Sequence, residues 1–68
     1  MKTLGENLRQ IRLELGLTQR EFALKLGYTE RNVGNWEHNR SIPTMTTIKK
    51  IHEIFGVAYD DIYDYDSE

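Results

Sequence analysis

The stretch Thr18–Glu37, TQREFALKLGYTERNVGNWE, decides the fold, because it holds two short helical patterns joined by one glycine. Thr18 opens the first pattern and Glu21 follows three residues later. This is the spacing of a capping box, in which a hydroxyl and a carboxylate satisfy each other's free backbone N–H groups. Gly27 comes next, and glycine most readily ends a helix in the left-handed conformation. Thr29 can cap a second helix, so the stretch predicts a helix-turn-helix.

The second helix, predicted over residues 30–37, has an apolar inner side and a polar outer side. At about 100° per residue, Val33 and Trp36 face inward. The outer arc consists of Glu30, Arg31, Gly34, Asn35 and His38. Arginine pairs with guanine, asparagine with adenine and glutamate with cytosine N4 in the major groove. The arc is therefore a candidate DNA-reading surface, and a merely solvated polar face is the alternative.

Gly34 lies in the middle of this outer arc. In a helix interior, glycine costs roughly 1 kcal/mol of propensity relative to alanine. Close approach of the helix backbone to another molecule would explain why a glycine is kept there.

Helical spacing continues on both sides of this stretch. In a first helix, opened by Thr3, the apolar stripe consists of Leu4, Leu8, Ile11 and Leu15. In a fourth helix, which ends at Gly56, it consists of Ile48, Ile51, Ile54 and Phe55. Ile42, in the loop between, is expected to turn into the core. A short last helix around residues 59–63 completes an all-α pattern of five helices.

Length and composition limit the functions open to the chain. Sixty-eight residues suit one domain, 1–68, with a core over about 4–63 and an acidic, frayed end over 64–68. No cysteine is present, which excludes disulfides and thiolate zinc sites. No apolar run approaches the roughly 20 residues of a membrane span, and no apolar signal segment opens the chain. We therefore expect a cytoplasmic protein that makes no contact with membranes.

The net charge of −2 is unevenly distributed along the chain. Residues 1–45 carry seven basic and five acidic side chains, whereas residues 46–68 carry two basic and six acidic ones. The potential near the helix-turn-helix can therefore be positive although the whole chain is acidic. Because the local excess is small, we expect a few placed phosphate contacts rather than a broad basic patch.

Residues 4–63 resemble a known family. The segments GLTQREFALKLG (16–27), VGNWEHNRSIP (33–43) and GVAYDDIY (56–63) occur in the order and spacing of a Cro/cI-type, XRE-like helix-turn-helix domain of phage and bacterial repressors. The resemblance implies a compact, five-helix lambda-repressor-like fold and a partly buried salt bridge between Arg12 and Glu37. It also implies DNA contacts at nine positions, which are Thr18, Gln19, Thr29, Glu30, Arg31, Asn32, Asn35, His38 and Arg40.

The chain departs from the family pattern at three positions. Asn39 stands where the family most often has glycine, Gly34 is unusual in a recognition helix, and Glu30 places a negative charge near the phosphates. An acid at the start of a helix favours the helix dipole and can accept from a cytosine amino group, but it lowers general DNA affinity.

The resemblance implies a sequence-specific transcriptional regulator, most often a repressor, of a bacterium or phage and associated with the nucleoid. It would bind a pseudo-palindromic operator on double-stranded DNA as a homodimer, with half-sites about one helical turn apart. The candidate dimer interface consists of Val57, Tyr59, Tyr63 and Tyr65. Tyrosines suit an interface, but covering a small core is an equal alternative for Tyr59 and Tyr63.

Two other classes of function are open to the sequence. A protein-binding module on the same scaffold, such as an antirepressor or antitoxin, would suit the acidic tail and the low net charge. An enzyme is the weakest hypothesis, because His38 and His52 belong to different helical regions and no paired base accompanies Ser41 or Ser67. We expect no catalytic residues, no metal site and no cofactor.

Overall fold

The computed structural model describes residues 2–63, which form five α-helices and no strand. In chain order they are α1 (Leu4–Glu14), α2 (Gln19–Leu26), α3 (Glu30–Glu37), α4 (Met45–Phe55) and α5 (Tyr59–Ile62). The predicted all-α fold is confirmed, and α3 has the bounds predicted for the recognition helix. The frayed tail predicted over 64–68 lies outside the described residues. No helix within residues 2–63 has the length and apolar character needed to cross a membrane.

Threonine begins each of the first four helices. The N-caps are Thr3, Thr18, Thr29 and Thr44, each with an extended backbone and a hydroxyl that accepts a bond from the N–H three residues on. In α1 to α3 the residue at that position returns the bond and completes a capping box. Each such cap is worth about 1 kcal/mol. Local sequence therefore determines where these helices start.

The ends of α2 and α3 are set by residues in the left-handed region. Gly27 has φ of 80° after α2, and Asn39 has φ of 59° just beyond α3. Glycine adopts this conformation without steric cost, and asparagine tolerates it better than most residues. The two turns direct the chain into and out of α3.

The inner faces of all five helices meet in one core. Its fully or nearly fully buried apolar residues are Leu8, Ile11, Phe22, Ala23, Leu26, Val33, Trp36, Ile48, Ile51 and Ile62. Phe22 stacks on Phe55 with ring centroids 5.0 Å apart. Full burial of a large apolar side chain contributes about 1.5–3 kcal/mol. The core therefore holds α3 from its inner side.

The turn between α2 and α3 is anchored through Tyr28. Its ring packs edge-on against Trp36 at 5.1 Å between centroids, and its hydroxyl lies 2.6 Å from the Thr47 hydroxyl of α4. A partly buried aromatic ring whose polar end also has a partner fixes both the position and the angle of the chain. The turn is thereby tied to α4 as well as to α3.

Two apolar predictions near helix ends are wrong. Leu15 is 39% exposed, because α1 ends at Glu14 and the chain turns away before the stripe can continue. Ile42 is 81% exposed, whereas its neighbour Pro43 is buried. The residue before proline favours an extended conformation, in which successive side chains point to opposite sides. Pro43 therefore enters the interior and Ile42 faces out.

Ile54 is also more exposed than predicted. It is 49% exposed, whereas Ile48 and Ile51 are buried and Phe55 is half-buried. At about 100° per residue, Ile54 lies roughly 120° around α4 from Ile48, outside the inward stripe. It belongs to the edge of the helix.

Candidate nucleic-acid interface

A shallow concave surface runs across the outer face of α3, and we call it the α3 groove. Its lining consists of Gln19, Thr29, Glu30, Arg31, Gly34, Asn35, His38 and Arg40. Seven of the nine residues for which the resemblance implies DNA contacts lie in this set, together with Gly34. The groove joins the start of α2, the length of α3 and the loop after it. Residues 21 positions apart in the chain are therefore brought to one surface.

The two remaining residues, Thr18 and Asn32, lie beside the groove as helix caps. The Thr18 hydroxyl accepts from the Glu21 N–H at 3.1 Å. Oδ1 of Asn32 accepts from the N–H of Thr29 at 3.1 Å and from its hydroxyl at 2.8 Å. These bonds hold the first turns of α2 and α3, where free N–H groups and the helix dipole favour an anion.

An ion pair on the inner side of α3 fixes the helix relative to α1. Arg12 Nε donates to Glu37 Oε2 at 2.7 Å, and Arg12 Nη2 donates to Glu37 Oε1 at 3.1 Å. The side chains are 9% and 2% exposed. Arg12 Nη1 also donates to the carbonyl of Leu17 at 2.9 Å, which holds the link from α1 to α2. The ion pair implied by the family resemblance is thus present, with two-point geometry.

Gln19 extends this ion pair to the α3 groove. Its Nε2 donates to Glu37 Oε1 at 3.0 Å, so the Glu37 carboxylate accepts from residues of both α1 and α2. An amide nitrogen carries two hydrogens, so one remains for another acceptor. The Gln19 side chain is half-buried and lines the groove. Sequence reasoning identified Gln19 and Glu37 separately but missed the bond between them.

The α2 cap favours a charged carboxylate at Glu21. The Thr18 N–H donates to Glu21 Oε1 at 2.8 Å. This bond has the larger effect, and a bond with the Thr18 hydroxyl adds to it. Together they hold the pKa of the Glu21 carboxyl below its ordinary value of 4.5. Hydrogen bonds to the ionised form lower a carboxyl pKa in this way. The start of α2 is therefore best formed when Glu21 is ionised.

Gly34 lines the groove, and no steric feature of the protein requires glycine there. A Cβ built on Gly34 would lie 4.0 Å from Nε2 and from Oε1 of Gln19, which is ordinary van der Waals contact. Gly5 is the opposite case, since a Cβ there would lie 2.4 Å from the Trp36 carbonyl oxygen. Sequence reasoning missed Gly5, although a glycine in the first turn of a helix is itself a signal of close packing.

The residues predicted to form a dimer interface have separate neighbours. Val57 is half-buried against the core. Tyr59 stacks on His52 with ring centroids 4.1 Å apart, and the Tyr63 hydroxyl donates to the Met45 sulfur at 3.3 Å. Tyr65 lies outside the described residues. Tyr59 and Tyr63 are each 38% exposed, so both keep surface available for a partner.

Among residues 2–63, no group of three or more histidine, aspartate or glutamate side chains is placed to hold a metal ion. The charged side chains of the α3 groove are instead Arg31 and Arg40, with Glu30 near the start of α3. This mixed lining suits polar recognition by individual side chains.

Comparison with known proteins agrees with this geometry. Residues 8–62 match the protein family described as helix-turn-helix. The chain is 31% identical over 58 residues to the HTH-type transcriptional regulator y4dJ of Sinorhizobium fredii, covering 85% of this chain and 75% of y4dJ. It is 33% identical over 58 residues to the HTH-type transcriptional regulator ImmR of Bacillus subtilis, covering 85% of this chain and 46% of ImmR.

A third relative is the HTH-type transcriptional activator BcrR of Enterococcus faecalis, 32% identical over 58 residues, or 85% of this chain and 28% of BcrR. The chain thus spans three quarters of y4dJ but less than half of ImmR or BcrR. The matched region runs from α1 to α5 and includes the whole α3 groove. The chain therefore belongs to the XRE-like, Cro/cI-type helix-turn-helix family.

Proposed function

We propose that this chain is a sequence-specific, DNA-binding transcriptional regulator whose α3 enters the major groove of double-stranded DNA. The observation that carries the proposal is the α3 groove, which gathers seven of the nine implied DNA contacts on one surface. The core and the Arg12–Glu37 ion pair hold α3 from the opposite side. Relatives named as HTH-type transcriptional regulators support the same function.

Base reading is assigned to three side chains of α3. Arg31 can make two bonds to guanine O6 and N7, and Asn35 can make two to adenine N6 and N7. Glu30 can accept from a cytosine amino group. Each good two-point pairing discriminates by about 1–3 kcal/mol against the wrong base. Gly34, between these residues, lets the helix backbone approach the base edges.

Phosphate contacts are assigned to the rim of the groove. Thr18 and Gln19 lie at the start of α2, where the helix dipole and the N–H groups of the first turn favour an anion. The other rim residues are Thr29, Asn32, His38 and Arg40. Gln19 is positioned for this role by Glu37, which already accepts one of its amide hydrogens. Because few of these groups carry a full charge, we expect a shallow dependence of affinity on salt.

The proposal includes a symmetric homodimer bound to DNA. A homodimer formed through Val57, Tyr59, Tyr63 and Tyr65 would present two copies of α3 to half-sites about 34 Å apart on a pseudo-palindromic operator. Such a dimer represses when its operator overlaps a promoter. In this proposal residues 1–68 act as one domain in the cytoplasm, at the nucleoid of a bacterium or on phage DNA.

A protein-binding module is the second candidate function. The observation that favours it is charge, because the chain carries −2 overall and Glu30 places a carboxylate in the α3 groove. The Glu30 carboxylate weakens the attraction of this groove for phosphates and can pair with a cationic side chain of a protein partner. An antirepressor or antitoxin would then contact DNA only within a complex.

Selection of randomised duplex DNA by the purified chain at near-physiological salt tests the proposal. Enrichment of a two-fold symmetric motif is expected for a dimeric operator-reading regulator. Asn35→Ala should lose the sequence preference at one base pair of each half-site. Gln10→Ala removes an amide on the exposed side of α1, outside the groove, and serves as the control that should keep the preference. A folded wild-type chain that enriches no motif would refute sequence-specific DNA binding and favour the protein-binding module.

A further inference from the structure

The first turn of α1 packs directly on the last turn of α3. A Cβ on Gly5 would lie 2.4 Å from the Trp36 carbonyl oxygen and 2.7 Å from that of Glu37. Real Cβ atoms do not come so close, so only glycine fits at this position. The N-terminal end of α1 therefore abuts the C-terminal end of the recognition helix, where opposite helix dipole charges attract.

Asn39 bridges this junction with both ends of its amide. Oδ1 accepts from the Gly5 N–H at 3.1 Å, and Nδ2 donates to the Thr3 hydroxyl at 2.9 Å. The Gly5 N–H belongs to the first turn of α1, so it needs a partner from outside that helix. Asn39 supplies the partner from 34 positions along the chain.

Asn39 also sets the backbone path between two residues of the α3 groove. Its φ of 59° turns the chain between His38 and Arg40. The turn is closed where the Arg40 N–H donates to the Asn35 carbonyl at 2.8 Å. Glycine could adopt the same φ, but its backbone samples many more conformations, and it could not form the bridge to α1. The bridge therefore restricts the loop to one path.

We propose that Asn39 is a positioning residue that orders the loop so that His38 and Arg40 meet DNA phosphates. Asn39 is itself exposed, but its bond to the Gly5 N–H is partly buried, so the bridge also contributes to the free energy of unfolding. Its main effect is on the position of the loop, and through the loop on binding. This inference rests on the proposed DNA-binding function, and it assigns a role to the residue that replaces the usual family glycine.

Asn39→Gly tests the inference, because it allows the same left-handed backbone and removes the bridge, while a second variant controls for the backbone freedom that glycine adds. We expect Kd for the selected duplex and for a random duplex to rise together by about five- to tenfold, because the loop that carries His38 and Arg40 must then be ordered on binding. The slope of log K against log salt should fall by about 0.9 for each phosphate that the loop no longer binds. Ser41→Gly adds the same backbone freedom next to the turn without touching the bridge, so it should leave Kd unchanged.

A readout without DNA separates failure of this inference from failure of the proposed function. In the free chain, Asn39→Gly should speed hydrogen exchange at the Gly5 amide and increase backbone mobility at His38 and Arg40. Asn39→Asp, whose oxygens can accept from the Gly5 N–H and the Thr3 hydroxyl, should keep that exchange slow. If the wild-type chain binds no DNA but these shifts occur, the ordering role stands and the DNA-binding function is wrong. If Asn39→Gly lowers Tm and leaves Kd and salt slope unchanged, Asn39 is only structural and the positioning role is wrong.

Discussion

Replacing Gly34 with alanine should make the chain more stable and less able to bind DNA. Gly34 lies inside α3, and an added Cβ would meet only the Gln19 amide at 4.0 Å, so no atom has to move. Alanine is favoured over glycine in a helix interior by about 0.8–1.0 kcal/mol. In a domain of this size, 1 kcal/mol corresponds to a Tm shift of about 4–8 °C. We therefore expect Tm to rise by several degrees.

The same methyl group should weaken DNA binding, because it occupies the centre of the groove-facing arc. If the α3 backbone contacts base edges there, the helix must move outward, and the bonds of Arg31 and Asn35 lengthen together. Loss of even one two-point pairing costs about 1–3 kcal/mol, so we expect at least a fivefold rise in Kd for the selected duplex. Urea denaturation and fluorescence anisotropy with a labelled duplex measure the two effects on one preparation.

Gly5→Ala is the matched control, since it makes the same chemical change on another helix. A Cβ at Gly5 would overlap the Trp36 carbonyl oxygen, so this variant should lose stability. Unchanged affinity in Gly34→Ala would refute close backbone approach to DNA. Lower stability in Gly34→Ala would show that the Gln19 amide cannot share its space with a methyl group.

Three further predictions concern single side chains. Glu37→Ala leaves the Arg12 guanidinium without its partner in a nearly buried site. The free energy of unfolding, measured by urea denaturation, should therefore fall by about 3 kcal/mol or more. A loss below about 1 kcal/mol would contradict a stabilising buried ion pair. Arg31→Ala should weaken operator binding by about 1–3 kcal/mol and relax the preference at one base pair. An equal loss of affinity on random DNA would show that Arg31 contacts a phosphate instead. Arg9→Ala on α1 is the control for loss of one positive charge. The pKa of Glu21 is lowered from 4.5, so its cap stabilises the folded chain above that pH and the contribution is lost as pH falls below it. Melting curves from pH 7 to pH 3 should show a steeper acid-side loss for wild type than for Glu21→Gln, and parallel curves would exclude this cap.

Local signals predicted the helices well, because their causes are local. Thr18 and Thr29 form their capping boxes with residues only three positions away. The polar arc of α3 is also local, because it depends only on the spacing of residues along a single helix. The left-handed turn at Gly27 likewise needs no distant partner. These features were accessible from the sequence without any knowledge of the tertiary fold.

The errors and omissions arose where distant parts of the chain decide the outcome. Ile42 faces outward because Pro43 takes the interior position, and which of two successive side chains points inward depends on where the core lies. The contact of Gly5 with Trp36 joins residues far apart in sequence, and periodicity carries no information about it. The Gln19–Glu37 bond is a similar case, since each residue was identified but their meeting depends on the angle between α2 and α3.

The way in which α3 is held also bears on how such a chain can change its target during evolution. Its anchors are the apolar pair Val33 and Trp36 and the buried Glu37, which lie on the inner side of the helix, away from the exposed Arg31. Exposed helix positions away from anchors tolerate substitution within about 0.5 kcal/mol. In the proposed mode of DNA binding, new sequence preferences can therefore arise by single substitutions on the outer arc while the scaffold stays unchanged. A gene duplication followed by drift at these few positions would yield two regulators with the same fold and separate targets.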